Sequence, residues 1–196
     1  KLTKAQKRVY QSIRAKLQNN LPVNVLLQGD VGCGKTIVAE MVLLDIIESG
    51  FQAAFMAPTA ILAQQHFRTI ADDFARLDIQ PRLLISGLPN KEKELVKEEI
   101  RSGHAPLVIG THALIQEDVV FSRLGLALVD EQHRFGVKQR ESLKSKGEQV
   151  DTLIMSATPI PRTLALAVYG DLDVETIDET PPGRKAVRTV YIHESK

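Results

Sequence analysis

"LLQGDVGCGKTIVAE", residues 26–40, sets Gly29, Gly32 and Gly34 ahead of Lys35 and Thr36, between a short apolar run and a helix-like one. Gly29 to Thr36 reads G-D-V-G-C-G-K-T and satisfies G-x-x-x-x-G-K-[ST], placed where a phosphate cradle requires it, after a buried strand and at the start of a helix. In such a loop the glycines and the residues between them, Asp30 and Cys33 included, turn backbone N–H groups toward an anion, and the helix N-terminus adds partial positive charge. Lys35 is expected to reach the β- and γ-phosphates of a bound nucleotide, and Thr36 to offer its hydroxyl to Mg²⁺. A small side chain such as Cys33 fits a variable loop position, and a helix N-terminus can also lower a thiol pKa, so a redox role stays open.

From Leu21 onward, β-branched and aliphatic runs alternate with helical patterns, the signature of βαβ units and a mostly parallel sheet. Strands are expected at 23–27, 53–57, 82–85, 107–110, 126–129 and 152–156, several apolar on consecutive residues as befits strands covered on both faces. Helices are expected at 4–18, 35–48, 60–76, 91–102, 137–145 and 161–168. Gly50 and Gly103 serve as stop signals, and Thr59 as an N-cap. The fold class is therefore α/β, a three-layer α/β/α P-loop nucleotide-binding domain.

Composition narrows the function. The 196 residues are 43% hydrophobic, enough for one sizeable core, and 25 Lys+Arg against 24 Asp+Glu leave a net charge of +1. That balance argues against the overall positive field of a small basic DNA binder, so any nucleic-acid contact must be local. Aromatic residues make up 5%, with no Trp, which favours backbone tracking over base stacking. Cys33 is the single cysteine, which excludes an internal disulfide and suits a reducing cytosol. No apolar run approaches a membrane span and no signal-peptide pattern opens the chain. His66, His104 and His193 show no ligand spacing and read as surface or half-buried residues.

A cradle alone does not separate a kinase from an ATPase. In "LGLALVDEQH" an apolar strand ends in Asp130 and Glu131, which an open parallel sheet places at its ligand-bearing carboxyl edge. Asp130 is suited to hold Mg²⁺ through water, and Glu131 to orient and deprotonate an attacking water.

D-E-Q-H (Asp130 to His133) followed by "RFGV", then S-A-T (Ser156, Ala157, Thr158) running into "PIPRTLALAVYGDLDV", resembles the first RecA-like motor domain of superfamily 2 helicases, most closely the RecG type. The transcription-repair coupling factor shares much of this pattern but typically lacks the D-E-Q-H spelling and the "YGDLDV" continuation. The resemblance implies an ATP-dependent DNA helicase, with ATP and Mg²⁺ as cofactors, acting on forks and junctions in the bacterial cytoplasm. It further implies that Gln6 in "LTKAQ" reads the adenine edge, whose donor and acceptor its amide matches. Pro58, Thr59 and Gln64 in "APTAILAQQ", and Gly110, Thr111 and His112 in "IGTHALIQ", would lie along a nucleic-acid backbone. Gln132 and His133 would link the γ-phosphate to Ser156–Thr158 and so to motion of a partner domain.

Motors of this type work in a cleft between two such domains, the second donating an arginine finger. Arg162 and Arg184 occupy domain-1 and linker positions in the resemblance and are not candidates for it. With a start at Lys1 and an end just beyond the strand-like "VRTVYIH", the expectation is a first motor domain over 1–178. In "ETPPGRK", two prolines and a glycine mark a hinge, so 179–196 would hold that hinge and the opening strand of a second motor domain. A wedge domain for splitting forks would lie elsewhere in the parent chain. On this reading the chain alone binds MgATP but hydrolyses it poorly. The alternatives are the same domain of a translocase like the transcription-repair coupling factor, or a nucleotide-binding interaction module without turnover.

Overall fold

The computed structural model describes residues 2–18, 21–130, 142–158 and 172–179. In chain order these form α1 (Lys4–Leu17), β1 (Asn24–Gly29), α2 (Lys35–Glu48), β2 (Gln52–Met56), α3 (Ala60–Phe74), β3 (Arg82–Leu84), α4 (Asn90–Arg101), β4 (Leu107–Gly110), β5 (Leu124–Asp130), β6 (Asp151–Ser156) and β7 (Asp173–Ile177). The strands make one seven-stranded sheet in the order β3-β4-β2-β5-β6-β1-β7, and every pairing is parallel. All strand tips that carry site candidates therefore share one rim.

Alternation along β2 shows how the layers arise. Ala53 and Phe55 point into a core shared with Val9 and Ile13 of α1, Val38 and Val42 of α2, and Ile70 and Phe74 of α3. Ala54 and Met56 point to the opposite face, against Val96 and Ile100 of α4, Leu114 and Phe121. Both faces of the strand are dry, so its five residues are all buried, as expected of a central parallel strand. Gln52 opens this strand as a buried polar residue. Its Nε2 donates to Ile100 O (3.0 Å) and Ala105 O (2.8 Å), and its Oε1 accepts from Ser122 N (2.8 Å) and Arg123 N (3.0 Å).

The expected helices α1 to α4 and the six expected strands form within a few residues of their anticipated bounds. Helix 60–76 differs: α3 ends at Phe74 and tightens into a 3₁₀ turn, Ala75–Leu77, closed by Asp78 in the left-handed region at φ 56°. Gly50 and Gly103 follow α2 and α4 with φ 79° and 81°, as helix stops. Of helix 137–145, residues 142–144 are helical, while 137–141 lie outside the described residues, as do helix 161–168 and the segment 180–196.

One strand escapes the apolar pattern. β7 reads D-V-E-T-I and sits at the sheet edge beside β1, where α1 covers it with polar links. Ser12 Oγ donates to Glu175 Oε1 (2.6 Å), Lys16 Nζ donates to the same oxygen (2.8 Å), and Arg8 pairs with Asp178 (2.8 Å). These polar links to a helix add to the apolar packing of Val174 and Ile177 in holding the edge strand in place.

Candidate nucleotide and nucleic-acid site

The loop Gly29–Lys35 joins the tip of β1 to the start of α2. Its bend is closed by Cys33 N donating to Asp30 O (3.1 Å). Gly34 is the N-cap of α2 in the left-handed region (φ 90°, ψ 36°), a conformation costly for any residue with a Cβ, and an added Cβ would run into the Gln6 amide. A Cβ on Gly29 would lie 2.6 Å from Cys33 Sγ and 2.9 Å from Ile177 O. Cys33 is thereby packed beneath the loop, 2% exposed, so its thiol fills space there. No side chain caps α2 and no acidic residue stands in its first turn, so the helix's first N–H groups are presented to the rim. Lys35 Nζ donates to Gly29 O (2.7 Å) and Asp30 O (3.0 Å), holding an ammonium across the loop, with Thr36 next to it.

Gln6 lies against this loop. It is 5% exposed and completes a capping box: its N donates to Thr3 Oγ1 (3.2 Å) and its Oε1 accepts from Thr3 N (2.9 Å). Its Nε2 donates to Cys33 O (2.9 Å). Each end of the amide is thus already engaged once, with one N–H and one lone pair remaining for a base edge. The same helix start is tied to residue 179, because Ala5 N donates to Glu179 Oε2 (2.9 Å).

Asp130 ends β5, two strands from β1 with β6 between them, and its register partner on β6 is Met155. Neighbouring strands lie about 4.8 Å apart, which puts the Asp130 backbone roughly 10 Å from the β1 tip on the same rim. Asp130 Oδ2 accepts from His66 Nε2 at 2.9 Å, a partnership that the spacing of the histidines did not suggest. The usable signal was local: His66 follows Ala63 by three and precedes Ile70 by four, so it shares their core-facing stripe on α3. Glu131, Gln132 and His133 lie outside the described residues.

A second acid was also missed. Glu40 of α2 is 4% exposed within the apolar run "TIVAEMVLL", and burial, then the Asp73 carboxylate, push its pKa up to about 7, opposed by His66. Between its ordinary value of 4.5 and about 7 the folded chain holds this proton while the unfolded chain has lost it. Stability therefore falls as pH rises through that window, and the penalty is complete above it. Glu40→Gln is expected to raise stability by roughly 2 kcal/mol at pH 8 and to change it little at pH 4.5. Urea unfolding at both pH values checks this, and an equal effect at the two would show that ionisation is not the cause.

On the other half of the rim, the β2 tip leads through Pro58 to Thr59, whose Oγ1 caps α3 by accepting from Leu62 N (3.3 Å). Gln64 is exposed on the first turns of α3. Gly110 ends β4, where an added Cβ would clash with Leu84 O; Thr111 is buried and His112 exposed. Ala57 N donates to Gly110 O (2.8 Å), joining the two loops. Ser156 ends β6, and its Oγ accepts from Thr158 N (3.3 Å) and contacts Thr158 Oγ1 (3.1 Å), folding Ser156–Ala157–Thr158 into a closed turn. Along the rim the order is Gly110–Thr111, Pro58–Thr59, Asp130, Ser156, Gly29, which brings the nucleotide candidates together on one side and the nucleic-acid candidates together on the other. No helix among the described residues is long and apolar enough to cross a membrane.

The chain is 59% identical over 192 residues to an ATP-dependent DNA helicase RecG of Thermotoga maritima, covering 98% of this chain and 25% of the relative. It is 48% identical to the Bacillus subtilis protein of the same name, covering 97% and 28%. It spans about a quarter of the length of the curated relatives it matches. Its fold superimposes on a structure described as RecG bound to a three-way DNA junction with a TM-score of 0.84 at 57% identity, covering 95% of this chain and 25% of that one. A DNA-bound DUF1998 helicase, MrfA, shares the fold at a TM-score of 0.70 and 17% identity, over 89% of this chain and 27% of that one. The DEAD/DEAH box helicase model matches residues 3–167, and the chain belongs to that family.

Proposed function

We propose that this chain is the ATP-binding motor domain of a RecG-like double-stranded DNA translocase that remodels stalled forks and junctions in bacterial DNA repair and recombination. The observation that carries the reading is the shared rim, on which the phosphate loop, Asp130 and the two loops at the β2 and β4 tips stand side by side. Similarity to relatives named as DNA helicases, one of them bound to a three-way junction, supplies the substrate class.

The residues fit MgATP. A left-handed Gly34, an uncapped α2 start and the Lys35 ammonium suit a polyphosphate, and the Thr36 hydroxyl and Asp130 carboxylate are the hard oxygen donors that Mg²⁺ prefers. Bound MgATP would supply the phosphoryl group whose transfer to water drives the motor, with the metal neutralising developing charge. Lys35 and the loop N–H groups hold the phosphates, and Gln6 faces the adenine edge while bracing Cys33 O. Glu131 prepares the water, and Gln132 and His133 couple the site to Ser156–Thr158. Pro58, Thr59, Gln64, Gly110, Thr111 and His112 track the DNA backbone without reading sequence. Residues 1–178 form the first motor domain and 179–196 the hinge toward a second one, which with a wedge domain completes the parent enzyme in the bacterial cytoplasm.

Steady-state ATPase assays test this. The full-length protein is expected to hydrolyse MgATP with strong stimulation by forked DNA, and the 196-residue chain to bind MgATP but turn over slowly whether or not DNA is present, because the arginine finger expected from the second motor domain is worth about 10³-fold or more. DNA-stimulated turnover of many per second by this chain alone would overturn the two-domain mechanism. MgATP binding without turnover in the full-length protein would leave an interaction module instead.

A further inference from the structure

We propose that His66 is a positioning residue that holds the Asp130 carboxylate and mechanically ties it to α3, so that contact of DNA with the α3 N-terminus is felt at the magnesium-binding side chain. The inference rests on the nucleotide and DNA reading above and adds a residue that neither the spacing of the histidines nor the resemblance assigned.

His66 occupies a core-facing position between Ala63 and Ile70, where an imidazole is costly unless its polar atoms find partners. It finds a partner on each of two strands. Its ring lies 4.6 Å from that of Phe55 on β2, tilted by 37°, and its Nε2 donates to Asp130 Oδ2 on β5 at 2.9 Å. Both side chains of the pair are mostly buried, 16% and 14% exposed, so the bond is shielded from competing water. One carboxylate oxygen is held, and Oδ1 is the one His66 leaves for the metal's water shell.

The N-cap of the same helix, Thr59, lies seven residues earlier, roughly 10 Å along a rigid α-helical rod. β2 and β5 are adjacent and paired from Ala53–Leu126 to Met56–Val129, so the two strands that His66 touches belong to one sheet. A shift of α3 at its DNA-facing end must carry the imidazole with it, and the imidazole holds Asp130. Partners behind a metal-binding carboxylate typically change metal affinity or activity by 10–100-fold when removed.

The test uses the full-length protein with two substitutions. His66→Phe keeps a ring against Phe55 and removes the donor; His66→Gln puts an amide N–H near the reach of Nε2. Binding of a fluorescent ATP analogue is titrated with Mg²⁺, and kcat and KM for ATP are measured with and without forked DNA. For His66→Phe, the Mg²⁺ needed for half-maximal tightening should rise about fivefold or more, and DNA stimulation of kcat should fall roughly tenfold while KM moves less than about threefold. His66→Gln should stay within about twofold of the parent in both readouts, because the hydrogen bond is restored. Unchanged Mg²⁺ dependence and DNA stimulation in His66→Phe would refute the inference, as would equal losses in both variants, which mark a packing role. If the unsubstituted protein failed to bind the analogue at all, the nucleotide reading itself would fall, an outcome distinct from either.

Discussion

Lys35→Ala is expected to lower MgATP turnover of the full-length protein by about a thousandfold, the upper range for deleting one charge-assisted contact to a reacting group. The ammonium is already in place, held by Gly29 O at 2.7 Å and Asp30 O at 3.0 Å. Two carbonyls at one ammonium leave a donor for a phosphate oxygen, since lysine carries three. Alanine removes the charge that offsets the polyphosphate and the strut that keeps the loop open. Nucleotide affinity, measured by calorimetry, should fall with turnover. Glu131→Gln should behave differently, keeping affinity while stopping hydrolysis, because its role on the family pattern is toward the water. The α2 core residues Val38, Val42 and Leu43 pack into the main core away from the loop, so Lys35→Ala should cost unfolding stability only what the two loop hydrogen bonds contribute, about 1–2 kcal/mol. Untouched MgATP affinity in Lys35→Ala would falsify the cradle assignment.

That assignment was legible because a phosphate loop is local: strand, glycines, lysine and helix lie within residues 26–40 and need no distant contact to be recognised. The parallel sheet was legible for a related reason. Strands buried on both faces, such as β2 and β4, show as unbroken apolar runs. What stayed hidden depends on residues far apart in sequence. β7 is held by α1 through side chains about 160 positions away, and its own D-V-E-T-I carries no strand-like run of apolar residues. His66 and Asp130 are 64 residues apart and meet because α3, packed mainly over β3 and β4, carries an imidazole that reaches Phe55 on β2 and the tip of β5. Gln6 was assigned a base edge from the family pattern, but its bond to Cys33 O spans 27 positions and requires α1 to lie beside the loop.

Gln52 is the strongest example of such long-range dependence, and Gln52→Leu is expected to destabilise the fold by about 4 kcal/mol. The side chain ties the start of β2 to the end of α4 through Ile100 O, to the following loop through Ala105 O, and to the entry of β5 through Ser122 N and Arg123 N. Leucine has nearly the same bulk, so no cavity opens for water. Ile100 O keeps Gly103 N as a donor (3.2 Å), but Ala105 O and the two N–H groups lose the side-chain partner they have. Ala105 O, at a buried bond, costs roughly 1–3 kcal/mol, the two N–H groups cost less each because their bonds are only part-buried, and part is recovered by small backbone shifts. Gln52→Ala should cost less, about 3 kcal/mol, because the space admits a water that can bridge these groups. Urea unfolding of the two variants gives both numbers. The residue sits at the end of the sheet opposite the phosphate loop, so MgATP affinity of the folded fraction should be unchanged. A loss below about 1 kcal/mol in Gln52→Leu would mean that water reaches these groups in the folded state.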